Sequence, residues 1–397
     1  MTGHGSDRGG LSERTAPSTS AQLDELMCAA LRGESVPWPL TAREDFNEAF
    51  IRRADYQGVM ALLHEHASRL ATWPPSVRDV IRRHTLGRAV WELRHRQLLT
   101  EAVAALRAKN IEPVLFKGTA LAYGLYPNPV WRSRGDTDMI VAPEDGSRAS
   151  EALVALGFRR DTGVSGEFVS YQDSYTKEID SGRHTIDLHR RINNSELLAR
   201  LFSYAELRAK AYCLPELCDG ALAAGPVHAL LLACLHPATH KQNPYYVDGI
   251  AYCGGDRLIW FYDVHLLLQS FTQAKWQEFV EQATAKGLCA ISLYAIDQAA
   301  ACYGTRCPDL AHRALTKTRE RVATYLSAGR LRQSWIDFSA IPGLANRLRF
   351  ACELVVPPRD YMRAKYPQSP EAALPWLYTR RVIEGVIRRL KPTRRTH

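Results

Sequence analysis

The residues best suited to chemistry fall in two short stretches. Val114-Leu-Phe-Lys117-Gly118-Thr119 is an apolar run that ends on a lysine, a glycine and a small hydroxyl residue. Gly135-Asp136-Thr137-Asp138-Met-Ile-Val141 opens a second apolar run with a pair of aspartates. In a β-strand, residues i and i+2 share a face, so Asp136 and Asp138 are expected to project side by side. Carboxylates that close repel each other unless a cation lies between them. Mg²⁺ takes oxygen ligands, commonly one or two carboxylates together with substrate phosphates. Gly118 lets a ligand approach the backbone, and Thr119 offers a hydroxyl donor. A strand that leads through them into Ala120-Leu-Ala-Tyr-Gly-Leu-Tyr126 as a helix presents free N–H groups to a phosphate. Either motif alone fits a turn or a cap. Their order, each at a strand end, points to a metal-phosphate site.

Leu115-Phe-Lys117-Gly118-x-Ala120-Leu-Ala122, Leu125-Tyr126-Pro127 and Arg132-x-x-Gly135-Asp136-x-Asp138 together resemble the nucleotidyltransferase-like proteins of the DNA polymerase β superfamily. The nearest group is a bacterial branch whose glycine motif reads Lys-Gly. The resemblance implies a third carboxylate on a later strand. Ile186-Asp187-Leu188-His189 fits that position, after the extended-looking runs Phe168–Gln172 and Ser174–Lys177. Sixteen residues separate Thr119 from Asp136, more than in compact members of the superfamily. The resemblance implies that Asp136, Asp138 and Asp187 are both catalytic residues and ligands of Mg²⁺ or Mn²⁺. It also implies that Lys117, Gly118, Thr119 and Arg132 meet the nucleotide. His189 reads as a core or hydrogen-bonding histidine, with an acceptor-side base as the alternative.

The elements that must carry these residues follow from periodicity. Gln22–Arg32 and Ala42–Ala67 show helical spacing, with Phe46, Phe50 and Ile51 on one face. Val77–Lys109 is a long periodic stretch (Leu86, Val90, Leu93, Leu98, Val103, Leu106) that stops at Asn110, a helix-ending residue. Strand signals cluster between Ile111 and Arg191, with a helix at Ser147–Leu156 stopped by Gly157, and helices return from Glu196 onward. The expected architecture is α+β: a small mixed-sheet nucleotidyltransferase domain at 111–195, an N-terminal helical segment at 21–110 and a C-terminal helical domain at 196–379. A disordered tail at 1–20 and a basic tail at 380–397 flank them.

A second constellation lies beyond the sheet. His228–Lys241 reads as an apolar helix carrying His236, His240 and Lys241, with Pro237 inside it. Histidines at i and i+4 share a helix face, as in some zinc sites, although the interposed Glu of a metallopeptidase is missing. The family resemblance offers another account: a His-bearing helix followed by an apolar one with an aspartate, here Leu258-Ile-Trp260-Phe-Tyr-Asp263-Val-His265. On that reading His240 or Lys241 faces the triphosphate and Asp263 orients one of them; a purely structural role for Asp263 and the histidines stands beside it. Gln242–Asp256, with Tyr245, Tyr246 and Tyr252, reads as a long aromatic loop, which in a compact domain is either functional or simply packed. Val356-Pro-Pro-Arg359-Asp-Tyr361-Met-Arg363-x-Lys-Tyr366-Pro367 also resembles a C-terminal family signature.

Composition is consistent with an enzyme. A chain of 397 residues can bury a sizeable core, and no apolar run reaches the length of a membrane helix. Met1–Ser20 lacks the apolar segment of a secretory signal. Nine scattered cysteines give no disulfide framework, so a reducing cytoplasmic location is expected. Of the net charge of +9, residues 380–397 carry seven Lys/Arg against one Glu, yet no nucleic-acid-reading motif accompanies them. Neither a specific nucleic acid nor a membrane is expected as partner. The expected activity is transfer of a nucleotidyl group from an NTP such as ATP to an unidentified acceptor (small molecule, sugar, peptide or protein) with release of pyrophosphate. The resemblance points to acceptors of peptide natural-product or surface-polysaccharide chemistry. The alternatives are a non-catalytic nucleotide-binding or antitoxin-type protein of the same fold, and a zinc-dependent hydrolase built on His236 and His240.

Overall fold

A computed structural model describes residues 19–39, 44–162, 166, 168–241, 245–247, 250–252, 256–316, 320–369 and 373–390. Its centre is a seven-stranded mixed sheet. The strands are β1 (Val114–Phe116), β2 (Asp136–Ile140), β3 (Arg159–Arg160), β4 (Gln172–Ile179), β5 (Gly182–His189), β6 (Tyr212–Cys213) and β7 (Leu222–Ala223). They are arranged β3-β4-β5-β2-β1-β7-β6. β2 runs antiparallel to β1 and parallel to β5, with Asp138 opposite Asp187 and Ile140 opposite His189. The α+β class expected from the sequence is the observed one.

Alternation along these strands divides the core in two. Val114, Phe116 and Ile140 face a large cluster shared with the flanking helices. Leu115, Met139, Val141, Ile186 and Leu188 face a second cluster that includes Ala149 and Leu153 of the helix Gly146–Ala155. With a period of two, Asp136, Asp138, Asp187 and His189 share the first face. Thr137 points the other way.

The long helix spans Pro75–Ala108, with proline at its first position, where a missing N–H costs nothing. It closes through Asn110 at φ +58°, with Asn110 N–H on Arg107 C=O and Ile111 N–H on Leu106 C=O at 2.9 and 3.0 Å. Its inner face differs from the expected stripe. Leu98, Val103 and Leu106 are buried, but Leu86, Val90 and Leu93 are 54, 59 and 69% exposed. Over those turns the buried positions are Thr85, Trp91, Glu92 and His95. Trp91, Glu92 and His95 meet polar partners on the sheet and the turn beneath it, so hydrophobic spacing alone selected the wrong face there.

Elements on either side of the expected divisions of the chain pack together. β6 and β7 follow residue 195 yet belong to the sheet; β7 runs parallel to β1, and Ala224 N–H donates to Leu115 C=O at 3.0 Å. The N-terminal helix Thr19–Arg32 shares its core with the C-terminal helices: Met27 and Cys28 lie in one cluster with Ala299 and Tyr303. Arg32 also donates to Cys302 C=O at 3.0 Å. Part of the expected aromatic loop is a hairpin, β8 (Tyr245–Val247) with β9 (Ile250–Tyr252). Most of the expected N-terminal tail, residues 1–18, and the last seven residues of the expected C-terminal tail, 391–397, lie outside the described residues, whereas 374–390 form a helix.

Candidate active site

β1 ends at Phe116, and Lys117 follows at φ 58° and ψ −138°, a conformation that a side-chain-bearing residue rarely adopts. Strain of this kind concentrates at functional sites. The turn delivers Gly118 to the start of the short helix Gly118–Gly124 and aims the Lys117 ammonium back at the sheet. There Nζ donates to Asp138 Oδ1 at 2.8 Å. His189 Nε2 meets the same oxygen at 2.8 Å from the neighbouring strand. Gly118 keeps a negative φ, and a β-carbon there would meet only the Arg134 side chain at ordinary contact distance, 3.4 Å. Packing therefore does not demand glycine at this position, which opens onto a cavity.

That cavity, of about 1300 Å³, is lined by Lys117, Gly118, Arg132, Asp136, Asp138 and Asp187 together with residues of the C-terminal helices. The three carboxylates face one space, as the strand alternation implied. Asp138, Asp187 and His189 bring ligand atoms within 4.8 Å of one another, the one group of three or more potential metal ligands among the described residues. Asp136 lies outside that group, at the start of β2 where it lines the cavity. Asp187 is held by Ser174 Oγ on Oδ1 at 2.5 Å and by the Gln172 amide on Oδ2 at 3.3 Å.

The carboxyl groups have separate electrostatic fates. Burial, then the negative charge of Asp136 and Asp138, pushes Asp187 up to about 7. Burial and Asp138 raise Asp136 to about 6. Burial opposes ionisation of Asp138 too, but Lys117 and His189 overcome it and hold Asp138 well below the usual carboxylate range. Burial lowers His189, so its ring is neutral near pH 7.

Several expected ligand contacts resolve differently. The Thr119 hydroxyl is not offered to the cavity. It is fully buried, hydrogen-bonds Thr137 Oγ1 at 2.7 Å and accepts from Arg134 Nε at 2.9 Å. Arg132 lines the cavity, but its charge is balanced by Asp263, through Nε on Oδ1 at 2.8 Å and Nη2 on Oδ2 at 2.7 Å. Tyr126 OH donates to Asp263 Oδ1 at 2.7 Å. Asp263 thus orients Arg132 and not a residue of the His-bearing helix. Lys241 sits at the end of the helix Pro226–His240 with its ammonium 3.5 Å from the Tyr294 ring centre, and is not part of the cavity wall. His236 and His240 do line the cavity, their rings 4.7 Å apart and both against Trp260. No third metal ligand joins them among the described residues.

Sequence reasoning missed the support beneath the site. Arg134 and Glu92 form a buried ion pair at 2.6 Å. Tyr123 OH also donates to Glu92 Oε1 at 2.6 Å, and His95 Nε2 lies 2.7 Å from Thr137 Oγ1. This chain of partners ties the long helix to the turn at Thr119 and to the back of β2. Arg134 adjoins the Gly-Asp-x-Asp motif and so carried a signal. Glu92, one carboxylate in a charged helix, carried none.

A mixed sheet that presents a strand-borne aspartate pair and a third aspartate beside a glycine turn is the arrangement expected of nucleotidyl transfer. The chain belongs to a family described as uncharacterised nucleotidyltransferase, whose model matches residues 45–304. No curated protein matches it.

Proposed function

We propose that this protein is a metal-dependent nucleotidyltransferase that moves an NMP group from an NTP to an acceptor hydroxyl or other nucleophile and releases pyrophosphate. The observation that carries the reading is the in-register pairing of Asp138 with Asp187 at the wall of a cavity that Gly118 also lines. The donor set fits Mg²⁺ or Mn²⁺: hard carboxylate oxygens dominate it, and three of its groups converge within 4.8 Å. Asp138 and Asp187, with Asp136 beside them, would hold the ion. Bound there, it would neutralise phosphate charge and favour deprotonation of the attacking group.

The chain's own residues account for the rest. Gly118 leaves the backbone open to the phosphates. Lys117 is the cation closest to hand for the charge that develops on the leaving pyrophosphate. Arg132, fixed by Asp263, presents its remaining N–H groups from the wall. Ser174 and Gln172 orient Asp187, which is suited to taking the acceptor's proton as that acceptor attacks in line at the α-phosphorus. His189 fixes Asp138.

Isothermal titration of NTPs with Mg²⁺ or Mn²⁺ against EDTA tests the reading. The wild type should bind much more tightly with metal, and Asp136→Asn combined with Asp138→Asn should remove the difference; unchanged metal dependence would sink the assignment. One observation favours a second reading, a non-catalytic nucleotide binder: the Lys117 ammonium already rests on Asp138. Pyrophosphate release separates the two.

A further inference from the structure

We propose that the helices Arg330–Ala340, Leu344–Val355 and Leu374–Leu390 form a docking surface for an anionic lipid bilayer, on which the protein rests without crossing it. All three lie beyond residues 45–304, the part matched by the family. No helix of the described residues is long and apolar enough to cross a membrane, so the contact would be peripheral.

Two features coincide on this segment. The first is charge. Residues 330–397 hold fourteen Lys/Arg against five Asp/Glu, which accounts for the whole net charge of +9. Arg349 pairs with Glu353 at 3.3 Å and Arg380 with Glu384 at 2.8 Å. Even with every carboxylate of the segment matched in this way, the excess of nine stands. The second feature is apolar exposure. Of fifteen large apolar residues exposed among the described residues, nine fall between Leu331 and Ile383, so exposure is concentrated where the charge is.

These residues form stripes along the helices. At 3.6 residues per turn, Leu344, Leu348 and Val355 fall within about 40° of one another, and they are 71, 58 and 46% exposed. Leu331 and Trp335 share a face at i and i+4, and so do Trp376, Arg380 and Ile383 at i, i+4 and i+7. Phe338 joins the first two helices, its ring 5.9 Å from that of Trp335 and 6.4 Å from that of Phe350. Arg381 Nη1 joins the third helix to the second through Leu354 C=O at 2.5 Å. Next to that bond, Val355 and Val382 are exposed and also line the cavity. Docking would therefore hold the mouth of the cavity at the lipid.

A bilayer interface rewards this combination of apolar helix stripes, indole rings and net positive charge. A second copy would set like charges against each other. A folded acidic protein would have to match several separate stripes at once, whereas lipid adapts to each. The sequence showed the charge without the exposed stripes, which is why no membrane was expected from it.

Flotation of the full chain with vesicles of phosphatidylcholine alone, and of phosphatidylcholine and phosphatidylglycerol in equal parts, tests this. Binding to the anionic vesicles should be at least about tenfold tighter than to the neutral ones and should weaken as salt is raised. Leu344→Ser with Leu348→Ser changes two exposed side chains, so the melting temperature should hold while anionic-vesicle binding falls at least about tenfold. Trp376→Ser, on another helix, should act in the same direction. No binding, equal binding to both vesicles, or intact binding by these variants overturns the proposal. Binding to polyglutamate as tight as to anionic vesicles would assign the surface to an acidic protein. A wild-type dimer that the double variant converts to a monomer in light scattering would assign it to a second copy. Either result overturns the bilayer as occupant.

Discussion

Asp187 and Asp138 sit opposite each other on paired strands, yet one is pushed up to about 7 and the other is held low. The difference lies in their partners. Asp138 has an ammonium and an imidazole; Asp187 has a hydroxyl and an amide. Because its folded-state value lies above the unfolded value of about 3.9, folded Asp187 keeps a proton that the unfolded chain has lost. The destabilisation this causes is absent below about pH 4, grows as pH rises and is complete above about pH 7. Asp187→Asn should therefore melt higher than wild type at pH 8, with the gain disappearing at pH 4 in parallel thermal scans. A constant difference across that range would mean that Asp187 ionises normally. Asp187→Ala makes the catalytic test: nucleotide affinity nearly intact, pyrophosphate release lowered by several orders of magnitude, roughly the scale for losing a catalytic metal ligand. Normal turnover would leave Asp187 an ordinary strand residue.

At the scale of elements, the turn from β1 into the helix Gly118–Gly124 separates two neighbouring residues by role. Gly118 faces the cavity with room for a β-carbon, so Gly118→Ala and Gly118→Val should leave the apo melting temperature nearly unchanged, and the valine should abolish NTP binding in titration calorimetry. Thr119 faces inward, so Thr119→Val should behave oppositely. It leaves Arg134 Nε and Thr137 Oγ1 short of a buried partner, a loss of about 1–3 kcal/mol in chemical denaturation, with affinity in the folded fraction little altered. The sequence showed that a glycine and a hydroxyl residue closed this strand. It could not show which one turned outward, because a single residue at unusual φ, Lys117, sets the direction. The same limit applied to the long helix, where apolar spacing favoured Leu86, Val90 and Leu93 although a buried polar network had claimed the inner face. Strand alternation is a stronger constraint, and it located the shared face of Asp136 and Asp138 correctly.

Over the whole molecule, the elements most legible in the sequence were those whose partners are near in the chain. β7 joins β1 across more than a hundred residues, the N-terminal helix packs against the helix Cys289–Tyr303, and Arg132 meets Asp263 across the cleft. None of these pairings leaves a local pattern. The Lys117 ammonium, seated among Asp136, Asp138 and Asp187, has a consequence at this scale. A chain that carries its own counter-charge does not have to wait for an ion in order to finish folding, unlike small domains whose structure forms only as metal arrives. On the metal-dependent reading proposed above, assembly and loading would be separate events, and the protein would pass through a metal-poor interval intact. Its melting temperature should be the same with EDTA as without, and added Mg²⁺ should raise it only by mass action in proportion to occupancy. A collapse in chelator would show that the ammonium does not substitute for the ion and that maturation depends on metal supply.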